Sequence, residues 1–256
     1  MSKMPVLFVG HGSPMNAIED NQFSRSWKEI ARKIPKPEAI LSVSAHWYTR
    51  GTKINNEENP KTIYDMYGFP RPLYEIVYDC PGSPTVAKVV KALVTKDSEY
   101  DNTWGIDHGT WSVLVHMYPD RDIPVLQLSV DRNAPPEVHY MIGKELGALR
   151  NHNVLIFCSG NIVHNLRMVD WNMENKGYDW AYEFDDYIHD NIMDANHDRI
   201  MLYHQAGECA KYSVPIPDHY YPLLYALGAS SRNDEVSVYN KACVLGSVTM
   251  TSYLWE

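Results

Sequence analysis

The chain reads as an α/β protein, a single domain built as a three-layer α/β/α sandwich around a mixed central sheet. Three observations predict this. Short Val, Ile and Leu runs are bounded by Pro, Gly or Asn, amphipathic helical patterns lie between those runs, and the C-terminal segments alternate as antiparallel strands do. With 256 residues, 45% of them hydrophobic, one core is affordable, and the domain is expected to span 1–256.

Buried strands are expected over residues 4–10, 39–45, 123–130 and 153–158, whose near-continuous apolar character suits strands covered on both faces. Between the first two, Phe23, Trp27, Ile30, Ala31 and Ile34 recur at helical spacing. Ser83 followed by Pro84 reads as an N-cap with proline at the first helical position, ahead of Val86, Val89, Val90 and Leu93. Pro135 and Pro136 open a further helix through Leu146, and a fourth covers Tyr178 to Asn196, with Trp180, Phe184, Ile188 and Ile192 inward. Val236–Tyr239 and Cys243–Met250 read as antiparallel strands, which makes the sheet mixed. The stretch from Arg50 to Gly82 breaks the alternation. Rich in Tyr, Phe and Pro, it is either the wall of a pocket for a planar ring or a surface excursion held by aromatic anchors.

A formal net charge of -9 argues against a nucleic-acid partner. No segment approaches bilayer-spanning length, and the apolar stretch Pro5–Gly10 is too short for a signal-peptide core, so a soluble cytoplasmic protein is expected, monomeric or a small homo-oligomer. Cys80, Cys158, Cys209 and Cys243 are scattered, which signals neither a disulfide framework nor a thiolate zinc site. Nucleotide-binding glycine loops are absent. Ser13 and Ser159 stand at strand ends, but neither lies in the Gly-x-Ser-x-Gly setting that serine hydrolysis would want.

The chemistry points to histidine. His11 follows the first strand, His46 follows the second, His164 follows Val154–Gly160 after a short turn, and His219 lies in the Pro-flanked turn Pro215–Pro222. Strand ends on one rim of an α/β sheet bring distant positions together, and neutral imidazole is the commonest ligand for Zn, Fe and Cu. The four are candidate ligands for one divalent metal. His108, in Trp104-Gly105-Ile106-Asp107-His108-Gly109-Thr110-Trp111, is a candidate active-site histidine. His116, His139, His152, His189, His197 and His204 read as packing or surface residues, with His189 and His197 on one acidic helix.

Taken in order, Gly10-His11-Gly12-Ser13-Pro14, Ser44-Ala45-His46-Trp47, Tyr67-Gly68-Phe69-Pro70, Asp107-His108-Gly109-Thr110-Trp111, His164-Asn165-Leu166 and Pro217-Asp218-His219-Tyr220 resemble the class III extradiol ring-cleavage dioxygenase superfamily, 4,5-DOPA dioxygenase branch, along nearly the whole chain. The resemblance implies a metal held by His11, His46 and His219, with His164 as acid/base and in some members also close enough to count as a ligand. It implies that His108 contacts substrate or oxygen, and that a catechol and O2 are the substrates. Two departures stand out: Ile216 replaces the usual threonine, and His219 stands where wider relatives often supply a carboxylate. Fe(II) is the metal expected for oxygen chemistry, and Zn(II) also suits three neutral histidines. The same residues would support a zinc hydrolase or hydratase using metal-bound water, or a metal-storing protein without turnover. Trp47, Tyr48, Trp111 and Tyr221 are candidates for packing against the ring or for plain core filling.

Overall fold

The computed structural model describes residues 3–256. Its strands are β1 (Val6–Gly10), β2 (Ala39–Thr49), β3 (Thr52–Ile54), β4 (Ser98–Tyr100), β5 (Val125–Asp131), β6 (Val154–Gly160), β7 (Val236–Tyr239), β8 (Cys243–Val244), β9 (Val248–Thr249) and β10 (Ser252–Trp255). Helices α1 (Gln22–Lys33), α2 (Arg71–Tyr74), α3 (Pro84–Leu93), α4 (His108–Met117), α5 (Pro136–Leu146), α6 (Asp179–Met193), α7 (His197–Met201), α8 (Glu208–Ser213) and α9 (Tyr221–Ala229) lie between them. Eight strands form one sheet in the order β4-β3-β5-β2-β6-β1-β10-β7. The central β5, β2, β6 and β1 run parallel, and β10 pairs antiparallel with both β1 and β7.

Successive side chains of a strand point to opposite faces, and in the central strands both sets are apolar. Val6, Phe8, Leu41, Val43, Ile156 and Cys158 pack on one side against α3, α5, α6 and α9, through residues such as Val90, Ile142, Phe184 and Leu223. Leu7, Val9, Ile40, Leu155 and Phe157 pack on the other against α1 and α4, through Trp27, Ile30, Trp111 and Leu114. The result is the expected three-layer α/β/α sandwich with a mixed sheet. No helix among the described residues is long and apolar enough to cross a membrane.

Several elements differ from the sequence expectation. The segment Cys243–Met250 is not one strand of the sheet: Leu245 and Gly246 both have positive φ, 52° and 79°, so it folds back as the β8–β9 hairpin, and Ser252–Trp255 completes the sheet instead. Strand β2 runs on through His46 to Thr49, with its register against β5 shifting between Val43 and Tyr48. Helix α4 has no apolar stripe because it is buried on nearly every side, so periodicity could not announce it. His189 and His197 lie on separate helices, α6 and α7, parted by Ala195 in a left-handed conformation.

Candidate metal centre

Because β1, β2 and β6 run parallel, the chain leaves all three at one rim of the sheet, and the sequence-predicted histidines meet there. One ring nitrogen from each of His11, His46 and His219 lies within 4.8 Å of the other two. Two close approaches permit this. A Cβ on Gly109 would sit 2.8 Å from His46 Cδ2, and one on Gly160 would sit 2.1 Å from the His219 carbonyl oxygen. At both positions only glycine leaves room.

Each ring is oriented by a partner behind it. Ser159 Oγ donates its single proton to the Gly109 carbonyl at 2.5 Å, so it can only accept from His11 Nδ1–H, 2.9 Å away. The Asp65 carboxylate lies 3.0 Å from Nδ1 of His46 and 3.0 Å from Nδ1 of His108, in close contacts off the ideal hydrogen-bond line. Asp218 lies 3.2 Å from Nδ1 of His219. A proton on Nδ1 leaves Nε2 with a free lone pair, and Nε2 of His11 and of His46 are 3.1 Å apart. With both rings neutral and protonated at Nδ1, two lone pairs would face each other, an arrangement that a cation between them would relieve. Metal–nitrogen bonds of about 2.0–2.1 Å put two donors on one ion about 2.9–3.4 Å apart, so the spacing fits. Both ring nitrogens of His219 are buried without a hydrogen-bond partner, which fits as well. The donor set could hold a divalent metal.

The charges agree with a site built for a cation. Burial, then the neighbouring His46, His219, His108 and His164, hold His11 well below the usual imidazole range. Burial lowers His108 and His219 too, against the pull of Asp65 and Asp218 respectively. Burial would also lower His46, but Asp65 outweighs it and the group is raised. Burial likewise opposes ionisation of Asp65, yet His108 and His46 pull its carboxyl well below the usual carboxylate range.

His164 sits beside this group. Its ring stacks on His219 with centroids 3.5 Å apart and planes inclined by 9°, and one of its nitrogens groups with Asp218 and His219, a second set that could hold a metal, and not with His11 and His46. Burial and the nearby His219 hold His164 well below the usual imidazole range. The hairpin supports the loop that carries it: Val163 N–H donates to Thr249 Oγ at 3.1 Å, and Asn161 Nδ2 donates to the Thr249 carbonyl at 2.7 Å.

Asp65 and Ser159 were not singled out as site residues from sequence. From sequence Ser159 is a strand-end serine outside a nucleophile setting, whereas in the structure it holds an imidazole. Asp65 arrives on the long 50–82 connection, which Trp111 Nε1 and Tyr78 Oη pin by hydrogen bonds to the Ile63 and Tyr118 carbonyls. Its only signal was a lone carboxylate inside the aromatic run Tyr64–Phe69. Of the candidate ring-packing residues, Trp111 and Tyr221 are buried in the two cores, and Tyr48 packs partly buried against the second of these. Trp47 is also buried.

Residues 2–253 match the model of the catalytic LigB subunit of aromatic ring-opening dioxygenase. The chain is 44% identical to a protein named 4,5-DOPA dioxygenase extradiol from Escherichia coli, over 98% of this chain and 94% of that one. It is 35% identical to a protein of the same name from Beta vulgaris, over 96% and 94%. A crystal structure of an uncharacterised protein from Escherichia coli K12 superposes with a TM-score of 0.86 at 39% identity, covering 98% of this chain and 99% of that one.

Proposed function

The chain belongs to the LigB family of aromatic ring-opening dioxygenases, and on that premise we propose that it cleaves a catechol with O2 beside the two hydroxyls, at one divalent metal held by His11, His46 and His219. DOPA is the favoured catechol, since relatives covering nearly the whole chain carry that name. The observation that carries the reading is the meeting of three imidazole nitrogens, two of them face to face at 3.1 Å. Bound there, Fe(II) supplies the electron transfer to O2 that Zn(II), with a single oxidation state, cannot.

The protein's own residues hold the substrate and move its protons. His164 stays neutral in its buried setting, so it accepts a proton from a catechol hydroxyl and returns it to an oxygen of the opening ring. Its stacking on His219 places that exchange beside the proposed metal while keeping the two tasks on separate rings. Burial of His11, His108 and His219 excludes water from the reacting groups.

Anaerobic reconstitution with Fe(II), followed by a catechol panel in an oxygen electrode, tests the proposal. One O2 consumed per catechol, with a ring-opened chromophore, is expected, and the Zn(II) form should be silent. No oxygen uptake with Fe(II) and any catechol would sink it, and turnover indifferent to oxygen would point to metal-bound water as the nucleophile.

A further inference from the structure

We propose that Asp65 is a positioning residue that fixes the tautomers of His46 and His108 together, preparing one ring as a metal ligand and the other as a hydrogen-bond acceptor for substrate. This rests on the dioxygenase reading for the roles of the two rings, though not for their protonation. Asp65 Oδ2 lies 3.0 Å from His46 Nδ1, and Asp65 Oδ1 lies 3.0 Å from His108 Nδ1 while also accepting the His108 backbone N–H at 2.9 Å. The two rings stand 3.9 Å apart between centroids. An ionised carboxylate offers acceptors only, so each nitrogen facing it must carry a hydrogen, and each Nε2 must then be bare. For His46 the bare nitrogen is the one that faces His11 Nε2. For His108 it makes the ring take a hydrogen bond from a catechol hydroxyl rather than give one to oxygen.

The neighbouring carboxylate does not share this work. Asp107 is saturated by Ser44 Oγ at 2.7 Å, Gln127 Nε2 at 2.8 Å, Trp104 Nε1 at 3.1 Å and the Thr110 backbone N–H at 3.2 Å. Asp65 instead turns both oxygens to imidazoles at 3.0 Å, and both protons can be held only if these close contacts straighten so that both oxygens accept. An amide of the same shape cannot do it. In Asp65→Asn the carbonyl oxygen stays where the His108 backbone N–H needs an acceptor, so the amide NH2 turns to His46 and forces its proton from Nδ1 to Nε2.

The test is long-range 15N–1H correlation on histidine-labelled, metal-free protein at about pH 9, well above the ordinary imidazole range. Wild type should show His46 and His108 both protonated at Nδ1. D65N should show His46 protonated at Nε2 with His108 unchanged, and its Zn(II) affinity by chelator competition should fall about 10–100-fold, the usual cost of losing a partner behind a ligand. A wild-type spectrum with either ring protonated at Nε2 overturns the proposal even if the variant fails to fold. An unchanged His46 tautomer or unchanged Zn(II) affinity in D65N overturns it too. Neither readout uses oxygen chemistry, so failure of the dioxygenase reading would be seen separately.

Discussion

His139 and His11 are sealed from solvent to the same degree, at 0% and 1% exposure, yet they sit in opposite kinds of surroundings. On α5, His139 Nδ1 accepts from the Tyr225 hydroxyl at 3.0 Å while Nε2–H donates to the Ala134 carbonyl at 3.3 Å, so one neutral tautomer satisfies both nitrogens. The histidines of the cup meet nitrogen to nitrogen, with donors assigned behind them and lone pairs in front. Burial is common to both regions. What separates packing from chemistry is whether each buried nitrogen already has a partner of the opposite kind.

The contrast breaks most visibly if His11→Ala keeps its metal. Zn(II) affinity should fall by more than ~10²-fold, beyond the loss expected for a residue behind a ligand, whereas His139→Gln should leave metal content alone; dialysis followed by elemental analysis compares the two. Next in size is His164→Ala, which should lower kcat by about 10²–10⁴-fold with metal content retained, if its ring stacked on His219 serves as acid and base and not as a ligand. Loss of the metal in that variant would make His164 a ligand after all.

Acid sharpens the comparison from the other side. Burial pushes His139 down to about 4 in the folded protein from an ordinary 6.5. The unfolded chain therefore binds the proton first, and the stabilisation is full above about pH 6.5 and lost as pH falls toward about 4, worth roughly 3 kcal/mol. Urea titrations of metal-free protein between those limits should show this loss on top of that of the lowered cup histidines, and His139→Gln should make the pH dependence shallower by about that amount; an equal slope in the variant would assign the effect elsewhere. The smallest expected change is in Tyr225→Phe. Stripping the partner from His139 Nδ1 should cost about 1–3 kcal/mol of stability with no effect on Zn(II) binding, read by the same titration and by chelator competition.

The parallel core of the sheet was legible because β1, β5 and β6 are buried on both faces and so read as mostly apolar runs, with Gln127 and Ser129 the polar interruptions in β5. The rim histidines were legible for the same reason, each following such a run or a Pro-bounded turn. Helix α4 was hidden by its even burial, and the hairpin was hidden because Cys243–Met250 alternates like a strand while Leu245 adopts a left-handed backbone that its side chain does not advertise. Asp65 escaped because it reaches the histidines through a long irregular connection, where no periodicity ties a residue to a place. Its pairing with two rings 19 and 43 positions away is a matter of tertiary contact alone.

Strand β1, which delivers His11, lies between β6 and β10, and β10 ends at Trp255. Without β10, β1 would be an open, apolar margin of the sheet. Losing β10 would therefore leave every histidine of the centre in the chain but on an unfinished frame.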